Sequence, residues 1–302
     1  MKKMNIGIVG LGVITKFYFE ALKKSESLEL RAVCDIDVEK TVQKAAEYNV
    51  LAYTSLDKML LNPNIDAVIV TLPNHLHAPV SLDAMEAGKH VMCEKPLATK
   101  LEDAEKLVEA SKRLGKILYT CFHRRYNSNF KDLVADQYYK GKIVGFHARY
   151  NEKIENHSGD DLWYMDIQKS GGGCVIDNGI NVIDVLTHIV GPMHIIESKI
   201  TYDANDVDMQ ALLTLGFNGG SGTLELDWAY DGEAKDIKFM TQDGMFVRDF
   251  LAGSTAFKGS LYHEYERGLD DFALSVRSNR DHGEKGYNAQ RLITEAYIKS
   301  RQ

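Results

Sequence analysis

The chain has 302 residues, of which 44% are apolar and 26% are charged, and its formal net charge is −7. This composition is that of an ordinary globular protein and excludes disordered, collagen-like and low-complexity classes. The acidic balance argues against nucleic acid or an anionic membrane as the main partner, so we expect a small molecule instead. Apolar runs are shorter than the ~20 residues of a membrane span and the first residues lack a signal-peptide layout, which predicts a cytoplasmic protein.

The first part of the chain alternates between apolar, β-branched runs and amphipathic stretches. Strands are predicted at residues 4–9, 28–34, 66–72, 90–93 and 117–122, and helices at 13–24, 38–48, 78–87 and 101–114. Strands that are apolar on both faces and alternate with helices indicate a parallel sheet with helices on each side.

Beyond about residue 123 the apolar residues recur with a period of two. The alternating runs are residues 195–202, 206–217, 223–230 and 236–240, followed by helical patterns at 263–277 and 288–301. Such half-buried, consecutive strands predict an antiparallel sheet with one face on a core. The Asn218-Gly219-Gly220 step between two of them is typical of a hairpin turn.

A glycine turn links the first predicted strand to the first predicted helix. Gly10-Leu11-Gly12 lies where a dinucleotide-binding turn places backbone amides against a pyrophosphate, although Thr15 replaces the third glycine of that pattern. Asp35 ends the second strand, about 20 residues further on, where a carboxylate bonds the ribose hydroxyls and repels a 2′-phosphate. The pattern therefore predicts NAD rather than NADP. The predicted cofactor residues here are Gly10, Gly12, Val13, Ile14 and Asp35.

An acidic residue at this place could instead cap the helix that begins near residue 38, a role that we assign to Asp37 and not to Asp35. The strand, glycine turn and helix predict an α/β chain of two domains. Residues 1–122 would form an NAD-binding Rossmann domain. Residues 123–302 would form an α+β domain for substrate binding and oligomerisation, with a large, mainly antiparallel open sheet. The alternative for its C-terminal helices is a return toward the first domain.

Three longer strings carry a family resemblance. They read Pro73-Asn74-His75-Leu76-His77, followed by Glu94-Lys95-Pro96, and then Gly171-Gly172-Gly173 to Asp177-Asn178-Gly179-Ile180-Asn181. Over essentially its whole length the chain resembles the Gfo/Idh/MocA family of glucose-fructose oxidoreductases and inositol dehydrogenases. The resemblance implies that Lys95 lies beside the nicotinamide and the substrate hydroxyl. It also implies that the cofactor is bordered by Pro73, Asn74, His77 and Glu94.

Most dehydrogenases of that family carry a histidine where this chain has Asn181. An asparagine can orient a hydroxyl but cannot accept its proton. We therefore predict Lys95 as the acid–base group, with Asp177 as its partner or as an alternative base, and Asn181 as a hydroxyl ligand. On a helix, Asp177 and Asn181 share one face. The structural alternative for Asp177 is a carboxylate that stabilises a helix N-terminus, and for Asp184 we favour a buried structural pair.

The Asp-x-Gly-Ile-Asn variant is similar to a narrower branch, the L-arabinose and D-galactose 1-dehydrogenases, which oxidise an aldopyranose at C1 to the lactone. This likeness implies a sugar pocket with polar groups around an aromatic face. Its candidate residues are His123, Arg125, Glu152, His157, Asn181 and Trp228. A structural role near the domain hinge is the alternative for His123, and a core position is the alternative for Trp228.

The leading prediction is an NAD-dependent aldose 1-dehydrogenase that passes hydride between nicotinamide and a sugar hydroxyl. An inositol or trans-dihydrodiol dehydrogenase is the second reading, although it would ordinarily use the missing histidine. A non-catalytic NAD-binding sugar sensor or co-regulator is the third, and the retention of Lys95 and Asp177 counts against it. The histidine spacing and the separated cysteines predict no metal. The resemblance implies a homodimer or homotetramer formed through the open sheet face.

Overall fold

The computed structural model describes residues 2–135, 142–158, 162–253 and 261–302. The chain divides into two compact units. The first comprises Met1–Ala98, Glu102–Cys121 and Leu261–Tyr287, and the second comprises Thr99–Leu101, Phe122–Ser260 and Asn288–Gln302. Residues 261–287, expected from the sequence in the C-terminal domain, thus belong to the first unit. The reason is aromatic packing, since the rings of Tyr265 and Phe17 stack with centroids 5.3 Å apart.

Within its described residues the first unit contains a six-stranded parallel sheet in the order β3-β2-β1-β4-β5-β6. The strands are β1 (Met4–Val9), β2 (Leu28–Cys34), β3 (Leu51–Tyr53), β4 (Ala67–Val70), β5 (His90–Glu94) and β6 (Leu118–Cys121). The helices between them are α1 (Thr15–Lys24), α2 (Val38–Tyr48), α3 (Leu56–Leu60), α4 (Asn74–Glu86) and α5 (Leu101–Leu114). The predicted Rossmann-type sheet is confirmed, and its carboxyl edge carries the loops with the predicted cofactor residues.

Two details of this unit differ from the expectation. The short elements β3 and α3 were not expected, because three and five residues are too few to show a periodicity. Helix α4 begins at Asn74, four residues earlier than expected, with Pro73 in the N-cap position. A proline is tolerated at a helix start because the first N–H groups have no partner within the helix. The Pro-Asn string therefore opens a helix.

Within its described residues the second unit contains a six-stranded mixed sheet in the order β12-β11-β7-β10-β9-β8. Its strands are β7 (Ile143–Lys153), β8 (Met193–Tyr202), β9 (Asp208–Phe217), β10 (Gly220–Asp227), β11 (Ala229–Thr241) and β12 (Gly244–Asp249). The β7–β10 pair is parallel and the other pairs are antiparallel, so the predicted mainly antiparallel sheet is confirmed. The hairpin between β9 and β10 also forms, with Gly219 at φ +100°.

The strand order differs from the order along the chain. Strands β10 and β11 follow each other in the chain but are not neighbours, because β7 lies between them and pairs with both. Strand β7 was not expected from the sequence. Near its end the polar residues Asn151 and Glu152 are both buried although they point to opposite faces, so burial and polarity do not alternate there.

Several helical segments belong to this unit, and the last of them packs on the inner face of its sheet. They are α6 (Lys131–Ala135), α7 (Glu155–Ser158), α8 (Ile167–Ser170), a π-helical turn (Val175–Gly179) and α9 (Ile180–Val190). Ile180 and Ile183 of α9 belong to one buried cluster with Phe146, Leu224 and Ile237 of the sheet. Two C-terminal helices complete the chain, α10 (Tyr262–Ser278) and α11 (Glu284–Ser300).

One helical segment among the described residues, Ile167–Val190, is long and apolar enough to cross a membrane by length and composition. A search for uninterrupted apolar runs does not reveal it, because glycines and polar residues lie within it. Of its apolar window, 78% is buried inside the protein. Its apolar residues therefore belong to the core of the second unit.

Candidate active site

The glycine turn after β1 is shaped by a close approach to β4. Gly10 has φ +92°, and a Cβ there would lie 2.7 Å from the carbonyl oxygen of Thr71, so only glycine fits. At Gly12, by contrast, a Cβ would meet no atom within 4 Å. Val13 is half exposed, and α1 begins soon after it. An open turn at a helix N-terminus suits a pyrophosphate, because backbone N–H groups and the helix dipole favour an anion there.

Asp35 lies against this turn. Its Oδ2 accepts a hydrogen bond of 2.7 Å from the Leu11 N–H, and its Oδ1 accepts one of 3.0 Å from the Asp37 N–H. The Asp37 carboxylate caps α2 by accepting from the Lys40 N–H, as the sequence predicts. Each carboxylate oxygen of Asp35 can still accept a further bond, so the residue suits a ribose diol beside the glycine turn.

His77 joins the two loops that carry the other predicted cofactor residues. Its Nδ1 lies 2.7 Å from the Pro96 carbonyl oxygen, and its Nε2 lies 2.7 Å from that of Leu72. The ring is buried, and burial lowers the pKa of His77. Asn74 is buried one turn earlier on the same helix. The ring thus braces the loop after β4 against the turn after β5, and His77 shapes the site from within the protein.

Strand β5 ends in the Glu94-Lys95-Pro96 string. The Glu94 carboxylate is buried, accepting from the Tyr18 hydroxyl at 2.7 Å and from the Lys95 N–H at 3.2 Å. The Lys95–Pro96 peptide is cis. From Val91 to Ala98 every residue is buried except Lys95, which is partly exposed. The strand end therefore turns its carboxylate inward and presents a single amine to the surface.

In the second unit, the Gly171-Gly172-Gly173 string packs against Asp208 at the start of β9. A Cβ on Gly173 would lie 2.0 Å from the Asp208 carbonyl oxygen. The completely buried Asp208 carboxylate accepts from the Val175 N–H at 2.7 Å and from the Tyr297 hydroxyl at 2.9 Å. Burial raises the pKa of Asp208. The glycines thus permit an anchor that fixes the start of the π-helical turn.

The π-helical turn carries Asp177 and leads into α9 with Asn181. From Gly172 to Leu186 every residue is buried except Asp177, which is partly exposed. Asn181 donates from Nδ2 to the Asp177 carbonyl oxygen at 3.2 Å, whereas its buried Oδ1 has no hydrogen-bond partner in the protein. The segment therefore presents one carboxylate and one unsatisfied amide oxygen, which can accept a hydrogen bond from a ligand hydroxyl.

Arg125 and Asp184 form a buried pair. The Arg125 Nε donates to Asp184 Oδ2 at 2.9 Å, and its Nη2 makes a second bond to Oδ1. Both side chains are less than 10% exposed. The structural pairing favoured for Asp184 is confirmed. Arg125, predicted as a substrate ligand, directs its guanidinium to Asp184, because a buried carboxylate requires a partner of opposite charge.

Glu152 also uses its carboxylate inside the protein. Its Oε1 accepts from Asn178 Nδ2 at 2.9 Å, and its Oε2 lies 2.5 Å from the Lys235 Nζ. The same Nζ lies 3.0 Å from Glu233. The roles of Lys235 and Asn178 were not expected from the sequence. One sequence feature could have shown Lys235, because it occupies the apolar register of β11, two residues before the buried Ile237.

The remaining predicted sugar ligands have different positions. His123 is buried in the short 3₁₀ helix His123–Tyr126. Trp228 is completely buried in the core cluster, and its Nε1 has no hydrogen-bond partner, so the core alternative describes its position. The side chain of His157 lies outside the described residues. Within the described part of the chain, no group of three metal-ligating side chains lies close enough to hold an ion.

Family models match both parts of the chain. An oxidoreductase-family model with an NAD-binding Rossmann fold matches residues 4–122, and the C-terminal domain model of the same Gfo/Idh/MocA family matches residues 127–247. The chain belongs to the Gfo/Idh/MocA oxidoreductase family. Its first unit accordingly contains an NAD(P)-binding Rossmann domain.

Curated relatives include the myo-inositol 2-dehydrogenase of Thermotoga maritima, 31% identical over 62% of this chain and 55% of that protein. The scyllo-inositol 2-dehydrogenase (NADP⁺) of Bacillus subtilis is 26% identical over 98% of this chain and 94% of that protein. Alignments to the first curated relatives span only about half of their length. A solved levoglucosan dehydrogenase, in complex with NADH and levoglucosan, shares the fold with a TM-score of 0.87 and 20% identity. It covers 99% of this chain and 98% of that one.

Proposed function

We propose that the protein is an NAD-dependent dehydrogenase of a sugar or polyol hydroxyl. The observation that carries this proposal is the pair of buried segments that each present one titratable side chain, Lys95 in the first unit and Asp177 in the second. Family membership supports the cofactor, and relatives named as inositol dehydrogenases support the substrate class. A polyhydroxylated substrate also suits Asn181, whose buried amide oxygen has no protein partner.

The proposed chemistry divides the work between cofactor and protein. A bound nicotinamide supplies the hydride acceptor for the carbinol carbon. Lys95 takes the hydroxyl proton as the C–O bond becomes a carbonyl, with Asp177 as its partner or as the alternative base. Asn181 accepts a hydrogen bond from a substrate hydroxyl through Oδ1, which orients the carbon that is oxidised. In the reverse direction the same amine returns the proton.

NAD is the proposed cofactor because the Asp35 carboxylate lies beside the glycine turn, where its two oxygens accept from the Leu11 and Asp37 N–H groups. A fixed negative charge there disfavours the 2′-phosphate of NADP.

Within the substrate class, an aldose oxidised at C1 remains our first choice, because the Asp177 to Asn181 string resembles that of the aldose 1-dehydrogenases. An inositol or trans-dihydrodiol is the second choice, and the inositol dehydrogenases among the relatives favour it.

We also propose a cytoplasmic enzyme that assembles as a homodimer or homotetramer through the outer face of the second sheet. That face carries exposed apolar side chains on three of its strands. They are Ile196, Leu212, Met245 and Val247. Ile196 and Leu212 lie on the adjacent strands β8 and β9 at one edge of the sheet, and Met245 and Val247 lie on β12 at the other edge. Exposed apolar side chains of this kind are typical of an interface. A sensor that binds NAD without turnover is disfavoured, because Lys95 and Asp177 have no evident use in such a protein.

One screen tests the function. Aldoses, inositols and other polyols are each incubated with the purified protein and NAD, with NADP in parallel, and reduced cofactor is followed by its near-ultraviolet absorbance. We expect saturable NADH formation with at least one aldose or inositol and weaker activity with NADP. NAD binding without turnover of any member would contradict the proposal and favour the sensor.

A further inference from the structure

A buried ion pair, Lys235 with Glu152, lies next to the π-helical turn that carries Asp177. Lys235 and Glu152 stand on the inward face of adjacent strands, and both side chains are at most 5% exposed. In the β11–β7 register Lys235 lies opposite Tyr150, and Glu233 lies opposite Glu152. Two carboxylates directly opposite each other repel. The Lys235 ammonium contacts both of them, at 2.5 Å and 3.0 Å, and so reduces their repulsion.

The position of this pair is costly in free energy. Burial lowers the pKa of Lys235, because the charged amine loses its water. Apolar residues of similar volume at such a place are often neutral or stabilising, so a buried pair is weak evidence for a stabilising role. Its neighbours along β11, Ile237 and Phe239, are completely buried and apolar. A requirement other than packing therefore accounts for charge at this point.

The second carboxylate oxygen of Glu152 indicates what this requirement is, because it holds a residue of the π-helical turn. While Oε2 contacts Lys235, Oε1 accepts from Asn178 Nδ2 at 2.9 Å. Asn178 is buried in the π-helical turn, directly after Asp177. A π-helical turn within a helix is rare and frequently lies at a functional site. Asp208 holds the start of this turn, and Glu152 holds its middle.

We propose that Lys235 and Glu152 are positioning residues for Asp177. Lys235 fixes the rotamer of Glu152, Glu152 holds the Asn178 amide, and Asn178 sets the π-helical turn so that Asp177 is the one carboxylate presented to the substrate. The inference rests on the proposed function for its consequence in catalysis. The anchoring itself is a property of the protein without substrate.

Hydrogen exchange in the cofactor-free protein tests the anchoring, read on peptides that cover residues 172–181. Glu152→Leu removes the acceptor for Asn178, and Glu152→Gln keeps it. Arg149→Met is the matched control, because Arg149 pairs with Asp236 across the same two strands and both residues stand in the opposite register. We expect exchange in this segment to rise roughly tenfold in Glu152→Leu, to rise by a clearly smaller factor in Glu152→Gln, which keeps the acceptor but loses the ion pair, and to stay near the wild-type rate in Arg149→Met.

Three results would overturn the anchoring: equal exchange in Glu152→Leu and Arg149→Met, faster exchange in Glu152→Gln than in Glu152→Leu, or an increase spread evenly over the whole sheet. If Glu152→Leu does not fold, Glu152→Leu/Lys235→Met is used, because it removes both buried charges together. The expected exchange in the double variant is the same local tenfold increase, and unchanged exchange counts against the proposal.

Measurements of turnover provide the second test of the proposal. With a substrate identified in the screen, Glu152→Leu should lower kcat roughly tenfold or more while KM for NAD changes less than about twofold, and Glu152→Gln should restore most of kcat. An unchanged kcat in Glu152→Leu would overturn the positioning role. If the wild type reduces NAD with no sugar or polyol, the proposed function fails, while exchange still decides whether the pair anchors the turn.

Discussion

The two units hold their candidate site residues by different means. In the first unit the contacts run mostly to backbone atoms: His77 lies between two carbonyl oxygens and Asp35 accepts from two N–H groups, while the Tyr18–Glu94 bond is the exception. In the second unit the bonds join side chains that are distant in sequence, such as Arg125 with Asp184 and Glu152 with Lys235. Backbone geometry follows from local sequence, whereas side-chain networks depend on which strands become neighbours. Sequence motifs therefore predict the positions of the site residues in the first unit, whereas the side-chain partners in the second unit are known only from the structure.

The largest effect that this comparison predicts is on stability in the second unit. Arg125→Met leaves Asp184 as an unpaired buried charge, so we expect the free energy of unfolding to fall by roughly 3–5 kcal/mol, measured by urea denaturation. Arg125→Met/Asp184→Leu should recover much of that loss. A double variant that is stable but inactive would show instead that Arg125 serves the substrate, as expected from the sequence.

The second effect separates chemistry from cofactor binding. Asp177→Ala should lower kcat about 10²- to 10³-fold, the range of a lost proton-transfer group. NAD affinity, followed by quenching of protein fluorescence, should remain within about twofold, because Asp177 belongs to the other unit. Comparable losses in kcat and in NAD affinity would show that Asp177 also contributes to NAD binding.

The third effect belongs to the glycine turn. Asp35→Asn keeps an acceptor for the Leu11 N–H but removes the charge that repels a 2′-phosphate. We expect the ratio of kcat/KM for NAD over NADP to fall about tenfold. Asp37→Asn is the control, since Asp37 follows the same strand but caps α2. An unchanged ratio in Asp35→Asn would remove the basis for preferring NAD.

The smallest effect concerns acid stability of the first unit. Burial lowers the pKa of His90 from its ordinary 6.5 to about 4, and its Nδ1 accepts from the Ile117 N–H. The unfolded chain therefore binds more protons between these values, and stability should fall as pH drops from about 6.5 to about 4. His90→Gln should show a weaker fall in thermal midpoint over that window. An identical pH profile in both proteins would contradict the assignment.

Particular residues show which parts of the fold and of the candidate site can be predicted from the sequence. The glycine turn, Asp35 and the Glu94-Lys95-Pro96 string each lie at a strand end that periodicity locates, so the parallel sheet places them at one edge. Trp228 fits both the alternation of the predicted strand 223–230 and a sugar pocket, and only its complete burial decides its position. Lys235 could not be paired with Glu152 from sequence, because that requires knowing that β11 lies beside β7.

In the proposed function Lys95, in the otherwise buried segment at the end of strand β5, takes up and returns the substrate proton next to bound NAD. The most direct test compares NADH formation by wild type and Lys95→Ala on the substrate identified in the screen, with NAD affinity measured on both. We predict a loss of kcat of about 10²- to 10⁴-fold with NAD still bound. Turnover at the wild-type rate by a Lys95→Ala protein that binds NAD would contradict the account.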